Sequence, residues 1–417
     1  MIRSSLYDLF FGIVVLCSLP KLSIEYFFRG KYRASLSARI RPRIPEKLKK
    51  PLIWLHGVSV GEIKALSTLV PHIKKAYPDA FIFITTVTET GGGQANKSVP
   101  DADAIQYLPL DFSWIIGPFV QALRPKLLIL VEGDYWYNLM REVKNCGGSI
   151  VVVNGKISER SVKRYLLFSA FSHHLFSLID YFCLQSEDHL SSFLKLGVSL
   201  KKSFVTGNLK FDIPSLSLSE SDCRAYKRDL GIAEGDVVVT LGSTHEGEES
   251  PLLNIFRSLQ RRLPNLKVLL LPRHPERFSR VGRLVAHYPR VILVDRMGVL
   301  PKCYCISDLA VVGGSFVKGV GGHDIFEPMK MGVPTLFGPF MHNQRELVRL
   351  VTESGAGRSV PLEALHATLE ELLSNAHLLH IMGEKGRRCA QTVMGSALRT
   401  WGKIEFFAKN SSYSTMS

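Results

Sequence analysis

The sequence predicts an α/β protein of two domains, each a parallel sheet covered by helices on both faces. Three observations carry that prediction. Nine short apolar or β-branched runs recur along the chain: LIWL (52–55), FIFIT (81–85), LLILV (127–131), IVVV (150–153), YFCL (181–184), VVVTL (237–241), VLLL (268–271), VILV (291–294) and LAVV (309–312). Each leads into a polar or glycine-containing loop and then a helical pattern, and continuous apolar strands alternating with helices belong to sheets buried on both faces. The chain has 417 residues, and a single core rarely grows past roughly 250–300, so two domains of about 200 each are expected. Hydrophobic residues make up 46% and charged residues 21%, with 33 Gly and 21 Pro, which excludes a disordered, collagen-like or disulfide-stapled chain.

Taken in order, residues 1–28 form an N-terminal segment whose core, residues 6–19 (LYDLFFGIVVLCSL), is apolar except for Asp8. As a helix this stretch measures about 21 Å, short of the roughly 30 Å hydrocarbon core, and is expected to enter one leaflet without crossing. Residues 29–50 carry Arg29, Lys31, Arg33, Arg39, Arg41, Arg43, Lys47, Lys49 and Lys50 against Glu46 alone, a net +8 of the chain's +15. A polybasic segment beside a short apolar one reads as attachment to an anionic membrane face. Two other readings compete. A cleaved signal peptide needs small residues that Cys17-Ser18-Leu19-Pro20-Lys21 lacks, whereas the helix could instead pack on its own protein. No later run approaches the roughly 20 apolar residues of a spanning helix, so the body of the chain reads as soluble.

The first domain is expected over 51–207. Its first helix shows a stripe of Ile63, Leu66, Leu69, Val70, Ile73 and Ala76, with Lys64, Lys74 and Lys75 off it. Residues 208–222 (NLKFDIPSLSLSESD) are polar and lack a helical stripe, a linker by composition. The second domain is expected over 223–409, closing in helices from about 360, and the tail 410–417 is expected to be disordered. The two domains should face a cleft, with ligands at the carboxyl ends of the strands. Cysteines stand at 17, 146, 183, 223, 303, 305 and 389; an odd number without zinc or thioredoxin-like spacing reads as reduced, cytosol-facing thiols.

Four loops carry candidate chemistry. In His56-Gly57-Val58-Ser59-Val60-Gly61-Glu62, Ser59-x-x-Glu62 is a capping box. Equally, Glu62 is a carboxylate at the mouth of a cleft, kept ionised by a helix end and free to take a proton from a hydroxyl. Gly242-Ser243-Thr244-His245-Glu246 repeats the pattern at the start of the second domain, where turn amides could hold an anion. Pro272, Arg273, His274 and Arg277 lie just past a strand, where a guanidinium could grip a phosphate. Gly313, Gly314, Gly319, Gly321 and Gly322 precede Asp324 and Glu327 and are either turn makers or the backbone of a nucleotide site. Asp101-x-Asp103 and Glu132-x-Asp134 match acid-x-acid metal patterns, but the first lies in a surface loop, and no histidine spacing, His173-His174 included, supports a metal.

Together these loops resemble the transferases of 3-deoxy-D-manno-octulosonic acid (Kdo) in lipopolysaccharide assembly. The matching stretches are the apolar N-terminus, HGVSVGE, TTVTETG, EGDYW, VNGKISERS, GNLKFD, GSTHEGEE, LPRHPERF, DRMGVL and VVGGSF with GGHDIFEP. The resemblance implies a GT-B fold of two Rossmann-like domains with an N-terminal membrane-associated helix. It also implies metal-independent, inverting transfer of Kdo from CMP-Kdo to a tetraacylated lipid A precursor, lipid IVA, with no cofactor, at the cytoplasmic face of a bacterial inner membrane. By position it implies Glu62 as general base, and Glu132 and Lys210 as residues that stabilise the transition state. Pro272, Arg273, Met297, Gly298, Val299, Asp324, Ile325, Phe326 and Glu327 correspond to the CMP-binding segments. The Glu132-Gly133-Asp134-Tyr135-Trp136 form departs from the family's E-T-E-L-W and resembles the chlamydial branch, where several Kdo units can be added in sequence. Rival readings are a GT-B epimerase, a non-catalytic nucleotide-binding membrane protein and a nucleic-acid binder; the last lacks any RNP, zinc or helix-turn-helix pattern.

Overall fold

The computed structural model describes residues 4–29, 33–46, 48 and 51–410. The chain divides into two compact units, Met1–Ile213 with Met394–Ser417, and Pro214–Val393. The first is built on strands β1 (Leu52–His56), β2 (Phe81–Thr86), β3 (Ala104–Tyr107), β4 (Leu127–Val131), β5 (Ser149–Gly155), β6 (Tyr181–Leu184) and β7 (Ser203–Val205). They run parallel in the order β3-β2-β1-β4-β5-β6-β7. The second holds β8 (Val237–Thr244), β9 (Leu266–Pro272), β10 (Val291–Leu293), β11 (Leu309–Val312), β12 (Thr335–Phe337) and β13 (Gly357–Ser359), parallel in the order β10-β9-β8-β11-β12-β13.

All nine apolar runs form strands. The four that pattern reading missed, β3 (AIQY), β7 (SFV), β12 (TLF) and β13 (GRS), are short and include polar residues or glycine, so no continuous apolar run marks them. Each sheet is covered on both faces because successive side chains of a strand point to opposite sides. On β1, Trp54 packs against Phe83 and Phe119, while Ile53 and Leu55 join a separate core with Ile63, Leu66, Leu69 and Ile73. The stripe predicted as one helix is split into Val60–Ser67 and Val70–Ala76. Pro71 lacks an amide hydrogen and suits the first turn of a helix rather than its interior.

The boundary between units differs from the compositional linker. Leu209–Asp212 form a 3-10 turn of the first unit, and a helix already runs from Glu220 to Asp229. The last helix, Ser396–Asn410, belongs to the first unit instead of the second, with Trp401 and Ile404 buried beside Ile73 and Leu209. The Asp212 carboxylate caps it, accepting from the Gly395 and Ala397 amides at 2.6 and 2.5 Å. Arg399 donates to the Thr206 carbonyl and Thr400 bonds the Thr206 hydroxyl. These ties join residues more than 180 apart, so no local pattern reveals them. Residues 411–417 of the expected tail lie outside the described residues.

At the N-terminus one helix runs from Ser4 to Arg29, 26 residues, longer than the apolar stretch alone. Its first two turns dock on the first unit through Tyr7, Asp8 and Phe11, whereas Leu6, Leu9, Phe10, Ile13, Val14, Leu16 and Leu19 are exposed. By length and composition Ser4–Lys21 is the candidate membrane segment among the described residues. Both earlier readings of this segment thus hold part of it: a short docked face and a long apolar free one. Of the basic stretch, Arg39 is tied to the Leu108 carbonyl at 2.9 Å; Lys31, Lys47, Lys49 and Lys50 lie outside the described residues.

Two measurements test this architecture. Asp212→Ala should cost about 1–2 kcal/mol, the range for losing a helix cap, and should open the last helix to proteolysis before the rest of the first unit. Asp111, a buried carboxylate at the start of the helix Tyr137–Asn145, has its pKa raised to about 7, chiefly by burial. The folded chain therefore holds a proton there that the unfolded chain releases, and this contribution to stability, full below the ordinary carboxylate range, is lost as pH rises to about 7. Denaturant melts of Asp111→Asn should lack that part of the decline.

Candidate active site

In a doubly wound sheet, ligands bind beyond the carboxyl ends of strands where the strand order reverses. In the first unit that point lies between β1 and β4. Glu62 stands on the helix after β1, Glu132 immediately follows β4, Asn154 and Lys156 lie at the end of β5, and Lys210 is on the turn after β7. Glu132 is 7% exposed with φ +65°, a left-handed backbone that a non-glycine residue rarely adopts. Its Oε2 is 2.7 Å from Lys156 Nζ and its Oε1 is 2.7 Å from Lys210 Nζ. Asn154 Nδ2 donates to Oε1 at 3.3 Å, and Asn154 Oδ1 accepts from the Leu209 amide at 2.8 Å, so one amide side chain bridges the β4 and β7 loops. Burial alone would raise the pKa of Glu132, but Lys210 and Lys156 outweigh it and hold the carboxyl below its ordinary range.

Glu62 adopts a variant of the capping box, in which the carboxylate reaches the amide before the N-cap residue. Ser59 accepts from the Glu62 amide, while the Glu62 carboxylate reaches back to the Val58 amide (Oε2, 2.6 Å) and the Ser59 hydroxyl (Oε1, 3.0 Å). Its pKa is raised, first by burial and further by Glu132 and Asp134, against the opposing Val58 and Ser59 bonds. The Lys210 side chain closes the cluster: a methyl group on Gly61 would lie 3.6 Å from Lys210 Nζ. The three residues assigned by resemblance in this unit are therefore gathered at one sheet edge. His56, Asn154 and Lys156 were not singled out by sequence reading. His56 is fully buried, its Nδ1 2.9 Å from Thr85 Oγ1, and its Nε2 faces Asp134 Oδ2 at 3.8 Å without a hydrogen bond. Lys156 carried a readable signal, a cation one residue past a buried strand.

The second unit repeats the plan with its reversal between β8 and β11. The expected capping box Ser243-x-x-Glu246 does not form. Strand β8 runs on through Thr244, Ser243 is left-handed at φ +57°, and Glu246 is an exposed partner of Arg280. Glu248, 1% exposed, does the binding instead, accepting from the amides of His245 (2.7 Å), Gly314 (2.8 Å) and Phe316 (2.9 Å). Gly313 must be glycine, since a Cβ would come within 2.7 Å of Thr244 Cα. Arg277 is committed to Glu249 by two bonds of 2.8 and 2.9 Å, so it is not the phosphate grip; Arg273 is exposed, with its amide anchored on the Thr244 carbonyl. His245 and His323 share a 2.7 Å Nε2–Nε2 contact, and burial together with His245 drives the pKa of His323 down to about 4.

Pro272 ends β9 and Arg273 follows it, Met297, Gly298 and Val299 follow β10, and Asp324 to Glu327 lie between β11 and β12, so all share the carboxyl edge of the second sheet. Ile325 and Phe326 are buried, leaving only their main chain for a ligand. Asp324 Oδ1 accepts from the Phe326 and Glu327 amides at 2.8 and 3.2 Å, shaping the start of the helix that carries Glu327. Among the described residues no group of three His, Cys, Asp or Glu is placed to hold a metal ion.

Comparison with known proteins gives the family and the fold. Residues 34–213 match the family model of 3-deoxy-D-manno-octulosonic-acid transferase (kdotransferase). The 3-deoxy-D-manno-octulosonic acid transferase of Chlamydophila psittaci is 37% identical over 376 residues, 85% of each chain. That of Chlamydia pneumoniae is 32% identical over 96% of this chain and 97% of its own. Among solved structures, a glycosyltransferase from Rickettsia africae superposes with a TM-score of 0.60 at 14% identity, covering 87% of this chain and 99% of its own, which identifies the fold as GT-B. The chain belongs to the 3-deoxy-D-manno-octulosonic acid transferase family, glycosyltransferases of lipopolysaccharide biosynthesis.

Proposed function

We propose that the chain moves Kdo from CMP-Kdo to a hydroxyl of a tetraacylated lipid A precursor, with Glu62 as general base, at the cytoplasmic face of the inner membrane. The observation that carries this reading is the opposite displacement of two neighbouring carboxyls, Glu62 raised and Glu132 lowered. Such divergence sorts acid–base roles within one site. Glu62 takes the proton of the attacking hydroxyl. Glu132, ionised throughout, supplies negative charge near the oxocarbenium-like carbon. Its partners Lys156 and Lys210 supply donors for the phosphate charge that develops as the bond to CMP breaks. On the donor side, Arg273, the Met297–Val299 turn and the segment from Asp324 to Glu327 are proposed to hold CMP.

The lipid-facing part of the reading is supported by the exposed face of the N-terminal helix. It is supported too by a groove of about 530 Å³ lined by Ile40, Ile44, Trp114, Pro118 and Ala122 with Arg41 at its side. An apolar groove beside a guanidinium suits a phosphorylated, acylated acceptor.

Incubation with CMP-Kdo and lipid IVA, followed by weighing the products, tests the reaction and counts the units added; release of free sugar without acceptor would favour an epimerase. Glu62→Gln should lower kcat by about 10²–10⁴, with folding and CMP affinity retained. The pH dependence follows from the sign of the Glu62 shift: activity should fall on the acid side through a pKa above the ordinary glutamate range, while Glu132 stays ionised over the same interval. An acid limb at or below the ordinary glutamate range would count against Glu62 as the base. Lys156→Ala should lower kcat by roughly ten-fold or more, as loss of a charge-stabilising donor does.

A further inference from the structure

The N-terminal helix touches the candidate site's own loop. An apolar membrane attachment has no need of a buried carboxylate, and burying one is costly unless it is well hydrogen-bonded. Asp8 nevertheless lies in that helix, 8% exposed. Its Oδ1 accepts from the Ser113 amide (3.0 Å) and Asn138 Nδ2 (2.8 Å), and its Oδ2 from the Ser113 hydroxyl (2.5 Å). One residue earlier, Tyr7 donates to Asp111 Oδ2 at 2.8 Å, and the same Asp111 carboxylate accepts from the Asn138 and Leu139 amides. One turn on, the Phe11 ring meets the Trp136 indole edge-on, centroids 6.0 Å apart, and packs on Phe112 at 4.9 Å. The Trp136 Nε1 is buried without a hydrogen bond among the described residues, so packing rather than polar contact locates that indole.

Trp136 ends the loop that Glu132 begins, and Asn138 lies in the first turn of the helix that follows it. The loop is thus clamped twice, at Glu132 by Lys156 and Lys210 and at Trp136–Asn138 by the N-terminal helix. We propose that Asp8 and Phe11 are positioning residues for transfer, so that the N-terminal helix sets the geometry of the Glu132–Trp136 loop as well as attaching the protein to lipid. This rests on the assignment of Glu132 to the site made above. The consequence is a rate effect: small displacements of a catalytic group cost up to about a hundred-fold in turnover, whereas loss of a simple tether costs nothing once the acceptor is co-dispersed with the enzyme.

The test uses the full-length protein in detergent micelles containing lipid IVA, comparing wild type, Asp8→Ala, Asp8→Asn, Phe11→Ala and Glu132→Gln. Expected are roughly ten- to a hundred-fold losses of kcat in Asp8→Ala and Phe11→Ala. The KM for CMP-Kdo and the partition onto phosphatidylethanolamine–phosphatidylglycerol vesicles should stay at wild-type values. Asp8→Asn, which keeps an oxygen for Ser113 and Asn138, should recover most of the turnover. Wild-type kcat in folded Asp8→Ala and Phe11→Ala, with transfer lost in Glu132→Gln, overturns the inference alone. Near-normal transfer by Glu132→Gln overturns the site assignment and the inference with it. Should Asp8→Ala fail to fold, Phe11→Ala, which removes a ring at the flank of the network, decides between the same outcomes.

Discussion

The ion cluster on Glu132 is the constraint from which the first unit's site follows. A carboxylate that is 7% exposed would be expensive to keep charged in isolation. It is kept charged because three strand ends converge on it: β4 supplies the residue itself, β5 supplies Asn154 and Lys156, and the turn after β7 supplies Lys210. The left-handed backbone at Glu132 turns the chain back over the strand ends, a strained conformation that persists only where the surroundings over-determine it. Removing any one partner leaves the others mispaired, so the cluster specifies loop geometry more than it adds stability.

The second unit solves the same topological problem with different chemistry. A buried carboxylate there, Glu248, is met by three backbone amides and, among the described residues, by no lysine. Those amides draw the loops after β8 and β11 together without placing a side-chain cation between them, and burial leaves the Glu248 pKa raised despite the amide bonds. A lysine ammonium is a point charge on a flexible stem while a backbone amide is a fixed dipole, so the first arrangement suits charge that moves during a reaction and the second suits a ligand that must simply be held. The division matches the proposed roles of acceptor chemistry in one unit and nucleotide binding in the other.

What could be read from sequence divides along the same line between local and distant causes. Strands of four or more apolar residues declared themselves, as did Ser59-x-x-Glu62, because hydrophobic runs and capping boxes are local patterns. Ser243-x-x-Glu246 looked identical and failed, because β8 continues to Thr244, pairing with β9 across a register shift at the left-handed Ser243, and the helix begins only at Glu249. Resemblance assigned Glu62, Glu132 and Lys210 to the site, but Asn154, which ties the loops of Glu132 and Lys210, and Glu248, which ties loops of the second unit, match no motif taken alone. The last helix was assigned to the wrong unit because Asp212, which caps it, precedes it by more than 180 residues. Asp8, the one charged residue in an apolar run, was visible from the start, yet its meaning depends on Ser113 and Asn138, which only the fold brings near.

Glu62 shows why a bland local reading and a chemical one can describe the same side chain. Its capping bonds fix the carboxylate in place, which is the preorganisation that the proposed role as general base requires. The two oxygens are not equivalent. Oε2 is held by a fixed backbone amide at 2.6 Å, whereas Oε1 meets a rotatable hydroxyl at 3.0 Å. A hydroxyl can turn its proton elsewhere and an amide cannot, so Oε1 is the atom that can exchange its partner for an attacking hydroxyl while Oε2 keeps the orientation. Burial and the nearby Glu132 and Asp134 charges raise the affinity of this carboxylate for that proton. In the proposed role, the capping geometry orients the base, and burial together with the neighbouring carboxylates raises its basicity.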